Sequence, residues 1–161
     1  MSFEFLAVFF FFYLCICVCL YSVCPSVSSL FTLYVVPVAF DSRFADIELL
    51  CFDCLIRGTG KRVRVFVIYR PLSYECMSVT HMNLIIDCLS AYKSTNHSNV
   101  IVGDLNLPKI NWATMSCPND NIHEPFLSFT IESSYSQLIN FPTHDRNILD
   151  WLCQNCCTVL C

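Results

Sequence analysis

Val100-Ile101-Val102 is apolar at every position and runs straight into Gly103-Asp104-Leu105-Asn106 with no turn signal between them. A strand that is apolar on both faces has to be covered on both, so it belongs in the middle of a sheet and not at its rim. Before it lie Met82, Ile85, Ile86 and Leu89, whose i, i+3, i+4, i+7 spacing predicts a helix with one buried face. Lys93 stands near its C-terminal end, where a cation suits the helix dipole, and the polar stretch Ser94 to Asn99 closes it.

The segments on either side extend this order. Ile47 to Ile56 is mostly apolar, broken by Glu48 and Asp53, and reads as a strand. Arg57-Gly58-Thr59-Gly60 supplies turn chemistry, and Lys61 to Tyr69 alternates before becoming fully apolar, so the two runs predict a β-hairpin that Pro71 ends. Downstream, Pro108 to Asp120 is loop-like. Ile122 to Glu132 reads as a helix presenting Ile122, Phe126 and Phe129, and Gln137–Asn140 and Ile148–Cys153 read as short strands. Strands interleaved with helices define an α/β fold.

Length permits one domain with a real core, at 161 residues. The 55% hydrophobic content is raised by the first forty positions, so the chain divides into an apolar segment, residues 1–33, and a domain, residues 34–161. From Phe5 to Cys24 the one clearly polar side chain is Ser22, and about twenty apolar residues match the hydrocarbon thickness of a bilayer as a helix. A transmembrane helix, a secretory signal and translation outside an original reading frame all fit the segment. No Lys or Arg precedes Arg43, so charge gives no orientation, and location stays open between a membrane and the nucleus or cytoplasm.

A net charge of -4 gives no general reason to expect a polyanion partner. Arg57, Lys61, Arg62, Arg64 and Arg70 nevertheless fall close together, either lining a phosphate-facing edge or forming a solvated hairpin rim. Thirteen cysteines include two CxxC pairs, Cys51/Cys54 and Cys153/Cys156, which could suggest a structural zinc module. Both pairs fall in strand-like stretches, where positions three apart point to opposite faces, and burial as small hydrophobes is the expected role. His81, His97, His123 and His144 are lone histidines, expected in loops or at the surface.

The chemistry centres on Asp104 and Asn106. Ligands collect beyond the carboxyl ends of strands in open α/β sheets, and residues two apart on an extended chain point the same way. A carboxylate with a carboxamide can hold hydrated Mg²⁺ and orient a water toward phosphorus; the same pair is also a common plain turn.

The thirteen residues Val100 to Trp112, VIVGDLNLPKINW, resemble the GDFN segment of the endonucleases carried by non-LTR retrotransposons, members of the endonuclease/exonuclease/phosphatase family. Val67-Ile68-Tyr69-Arg70-Pro71 is similar to that family's YRPP strand end. Phe141-Pro142-Thr143 followed by Asn147-Ile148-Leu149-Asp150 resembles its PTR…NILDLVLTN stretch, with Asn155 in the place of the last Asn. The resemblance covers roughly residues 34 to 155 and implies part of a two-sheet α/β sandwich, preceded here by the apolar segment.

It further implies a Mg²⁺-dependent phosphodiesterase acting on DNA. Asp104 would position or deprotonate the attacking water, Asn106 would bind the scissile phosphate or help Asp104 hold the metal, Tyr69 would contact the phosphate, and Asp150 would orient a catalytic histidine. The Ser-Asp-His motif carrying that histidine has no match in this sequence, and neither Glu4 nor Glu48 matches the family's metal-binding Glu. A remnant with little or no activity is the expectation. The rival is a membrane-anchored protein, held through residues 5–24, whose remaining part binds without catalysis.

Overall fold

Residue-by-residue alternation sets the sheet. The computed structural model describes residues 33–56, 60–72, 78–141 and 150–155. Among these residues one mixed sheet of six strands runs in the order β1-β2-β3-β4-β6-β5. Its strands are β1 (Leu33–Pro37), β2 (Glu48–Ile56), β3 (Arg62–Tyr69), β4 (Ser98–Asp104), β5 (Ser136–Gln137) and β6 (Asp150–Asn155). β2 and β3 form the expected antiparallel hairpin, while β3 and β4 pair in parallel. A parallel pair needs a crossover, and helix α1 (Val79–Tyr92) provides it. β4 then has β6 antiparallel on its other side, so the all-apolar run is central, as its pattern requires.

The helices cover one face. Leu49 and Cys51 of β2, Phe66 and Ile68 of β3 and Ile101 of β4 point to one side and pack with Met82, Ile85, Cys88 and Leu89 of α1. Helix α2 (His123–Glu132) adds Phe126, Leu127 and Phe129 to the same core. Ser78 caps α1, its hydroxyl accepting the His81 N–H at 3.1 Å. The intervening residues of the same strands form a second cluster on the opposite face, Cys54, Val65, Val67 and Val102.

A partly buried charge network ties α1 to the sheet. Arg64 donates from Nε and Nη2 to the two carboxylate oxygens of Asp53, at 2.8 and 3.0 Å, and from Nη1 to the Tyr92 carbonyl at the end of the helix. Asn99 fastens the following loop by donating to the Ser94 and His97 carbonyls and accepting the Ser94 N–H.

Several boundaries differ from the sequence expectation. β1 was not foreseen; it pairs with β2 as an edge strand whose Tyr34, Val35 and Val36 are exposed, so burial leaves no alternating mark on it. The strand expected at Gln137–Asn140 is the two-residue β5; of the strand expected over Ile148–Cys153, residues 150–153 lie in β6, while Ile148 and Leu149 lie outside the described residues. No helix among the described residues is long and apolar enough to cross a membrane. The expected apolar helix of residues 5–24 lies outside the described residues.

Candidate functional site

Strand register gathers the residues singled out by sequence. Tyr69 at the end of β3 is level with Asp104 at the end of β4, and Asp104 is opposite Asp150 at the start of β6. Glu48, at the start of β2, is level with Tyr69 and completes a row across four strands. Residues level with each other share a face, and alternation from Val67 and Val102 puts Tyr69 and Asp104 on the face away from α1. Both are half-buried, whereas Glu48 is exposed. Adjacent strands are about 4.8 Å apart, so Glu48 stands roughly 10 Å of sheet from Asp104, with Tyr69 between.

Gly103 makes the row possible. Its φ is +145°, a conformation L side chains rarely adopt, and a Cβ there would run into the Ile68 carbonyl oxygen. β4 can therefore stay close to β3 just before the acid only if this position is glycine.

Past Asp104 the chain turns sharply. The Asn106 N–H donates to Asp104 Oδ1 at 3.0 Å, an Asx-type closure, and Asn106 itself adopts a positive φ of 50°, which asparagine tolerates better than most residues. Asn106 is buried at 6% exposure, and its Nδ2 donates to the Arg70 carbonyl at 2.7 Å. Arg70 answers: its N–H donates to the Asp104 carbonyl at 2.8 Å, and Nη1 donates to the carbonyls of Leu105 at 2.7 Å and Asn106 at 3.3 Å. The guanidinium is fully buried.

Two of the five cations are thereby withdrawn from any phosphate-facing edge, and two stand exposed as a solvated hairpin rim expects. Arg70 is spent inside on loop carbonyls, Arg64 is paired with Asp53, Lys61 and Arg62 are exposed, and Arg57 lies outside the described residues. Tertiary partners, invisible to a count of charges, decide where each cation goes.

The histidines also need correction. His123 is buried at the start of α2, with Nδ1 2.9 Å from Asp120 Oδ2. Burial works against the Asp120 charge, but the N–H groups of His123 and Ile122 and the His123 ring outweigh it and hold the carboxyl below its ordinary range. The pair caps a helix end. His81 is half-buried beside Arg70 and the Asp46 backbone, and burial holds its ring below the ordinary histidine value. His97 is half-buried and His144 lies outside the described residues. None of the described histidines stands on the Asp104 row.

Cys51 packs in the helix-side core and Cys54 in the opposite cluster, so this CxxC does not present two sulfurs on one face. Among the described residues no cluster of three His, Cys, Asp or Glu side chains stands close enough to hold a metal. The side chains of Asp150 and Cys153, and Cys156 entirely, lie outside what is described.

No family model matches the chain, and no curated protein matches it. Its fold is similar to solved structures of endonuclease/exonuclease/phosphatase proteins. The human Nocturnin catalytic domain matches over 80% of this chain and 49% of its own, at 10% identity and a TM-score of 0.47. An AP endonuclease from Archaeoglobus fulgidus matches over 78% and 60%, at 12% identity and a TM-score of 0.48. An endonuclease/exonuclease/phosphatase family protein from Bacteroides thetaiotaomicron matches over 66% and 41%, at 12% identity and a TM-score of 0.41. The chain spans about half the length of these proteins.

Proposed function

We propose that the chain derives from a Mg²⁺-dependent DNA endonuclease of the endonuclease/exonuclease/phosphatase family, of the non-LTR retrotransposon kind, and that alone it cleaves phosphodiesters weakly or not at all. The observation that carries this reading is the row Tyr69–Asp104–Asp150. Three sequence motifs, each modest by itself, fall on one level of three adjacent strands.

The donor set suits the cation. Mg²⁺ is usually held by one or two carboxylates while keeping much of its water, and Asp104 stands half-buried at a strand end opposite a second acid position. When bound, the ion would neutralise charge on a phosphate. In this reading Asp104 holds the cation and orients or deprotonates a water, Tyr69 contacts the phosphate, and Asp150 orients a histidine. Asn106 gives one N–H of Nδ2 to the Arg70 carbonyl and keeps its second N–H and Oδ1, so in this reading it either helps hold the metal through the oxygen or binds the scissile phosphate through the nitrogen.

Weak activity follows from the residues the sequence lacks. Catalytic members act as a unit, and loss of one typically costs several orders of magnitude in rate. Neither the Ser-Asp-His motif nor the family's metal-binding Glu has a match here.

Nicking of supercoiled plasmid with Mg²⁺ tests this. The chain is expected to nick no faster than Asp104→Ala; robust nicking abolished by that substitution would overturn the inactivity. For ancestry, flanking genomic DNA should encode the unmatched Glu and Ser-Asp-His motifs in some frame, and a membrane-protein gene continuing there would sink it.

A further inference from the structure

We propose that Arg70 is the positioning residue of the Asp104 site: its buried guanidinium holds the Leu105–Asn106 carbonyls and thereby fixes where the Asp104 carboxylate points. The inference rests on the reading of Asp104 as the cation-holding group and adds a residue to which no role had been given.

The geometry is reciprocal. Arg70 reaches the loop through its own N–H and through Nη1, and the loop returns to Arg70 through Asn106 Nδ2, so four donor–acceptor contacts of 2.7 to 3.3 Å join residues 34 to 36 positions apart. The same Asn106 sends its N–H to Asp104 Oδ1. Movement of the guanidinium is therefore passed to the carboxylate through a single residue whose φ of 50° has few alternatives.

Chemistry argues against packing as the whole purpose. Burying a cation is expensive, and an apolar side chain fills such a space more stably. An arginine at 0% exposure brings what an apolar group cannot, N–H donors on a planar guanidinium whose Nη1 reaches two successive carbonyls at once. Lysine would keep the charge and lose that fixed donor plane. Outer groups that orient a metal-holding side chain in this way typically change metal affinity by 10 to 100-fold when altered.

The test uses the full chain and Mn²⁺ alone as the probe, with binding read by electron paramagnetic resonance and folding by circular dichroism. Wild type is expected to bind Mn²⁺ in a manner that Asp104→Asn abolishes, and Arg70→Lys to weaken binding by about tenfold or more. Binding unchanged in Arg70→Lys, with Asp104→Asn still abolishing it, overturns the role of Arg70 alone. Binding that is absent in wild type or indifferent to Asp104→Asn overturns the site reading and this proposal with it. If Arg70→Lys does not fold, wild type supplies the measurement: Mn²⁺ must slow hydrogen exchange at the Arg70 guanidinium and the Asn106 amide, because a cation that needs this lock closed favours its closed state. No change in that exchange on Mn²⁺ binding overturns the proposal.

Discussion

Asn106 and Arg70 hold each other through side chain and main chain at once: Asn106 Nδ2 donates to the Arg70 carbonyl at 2.7 Å, and Arg70 Nη1 donates to the Asn106 carbonyl at 3.3 Å. Each residue thereby fixes the backbone of the other.

Asn106 combines a left-handed backbone with a side-chain hydrogen bond, and the two contributions can be separated. Asn106→Gly removes the bond but keeps the conformation, at about 1 kcal/mol. Asn106→Ala removes the bond and adds about 1 kcal/mol or more of strain at φ 50°. Urea unfolding should therefore rank glycine above alanine, reversing the ordinary preference.

Gly103→Ala should be far worse. The new Cβ meets the Ile68 backbone, which cannot rotate away as a side chain would, and φ of +145° adds strain. A loss of about 3 kcal/mol or more is expected, read as a collapse of the urea midpoint or failure to fold.

The Asp53–Arg64 pair predicts a pH dependence. The Arg64 hydrogen bond, opposed by burial, holds the Asp53 carboxyl below its ordinary range. Because the folded-state value is depressed, the stability it gives is present above the unfolded-state value, about 3.9, and fades as pH falls toward the folded one. Asp53→Asn should cost about 3 kcal/mol at pH 7 by leaving Arg64 half-buried without its counter-charge, and should flatten the loss of stability below pH 4. Equal acid sensitivity in the variant would count against the assignment.

Burial pushes the Cys51 thiol up to about 12 and the Cys88 thiol up to about 11. At pH 8 roughly one Cys51 thiol in ten thousand is then ionised, and the thiolate is the reactive form. Iodoacetamide followed by peptide mass spectrometry should leave both residues unlabelled in the native chain and label them in urea. Native labelling at the unfolded rate would show that the helix-side core is open.

Periodicity carried the central elements because their burial is regular. The hairpin strands, α1 and β4 lie where expected, and Met82, Ile85 and Leu89 are all fully buried. β1 was hidden because an exposed edge strand that ends in Pro37 alternates nothing and follows an apolar stretch that offers no contrast. The Asp104–Asn106 segment was legible as a motif, yet its fastening was not. An arginine that binds carbonyls 35 and 36 positions away leaves no spacing to read, so Arg70 looked like one more member of a basic cluster. The burial of His123 was missed for a similar reason, since its partner Asp120 lies in a loop with no periodicity.

β4 draws its neighbours from far along the chain: Asp104 is level with Tyr69 on one side and with Asp150 on the other. Loop closure must come before such distant pairings return any free energy, which slows folding. The four-strand row can be completed only after β6 has docked, so any intermediate made of the hairpin, α1 and β4 alone would hold a formed core and an unfinished site.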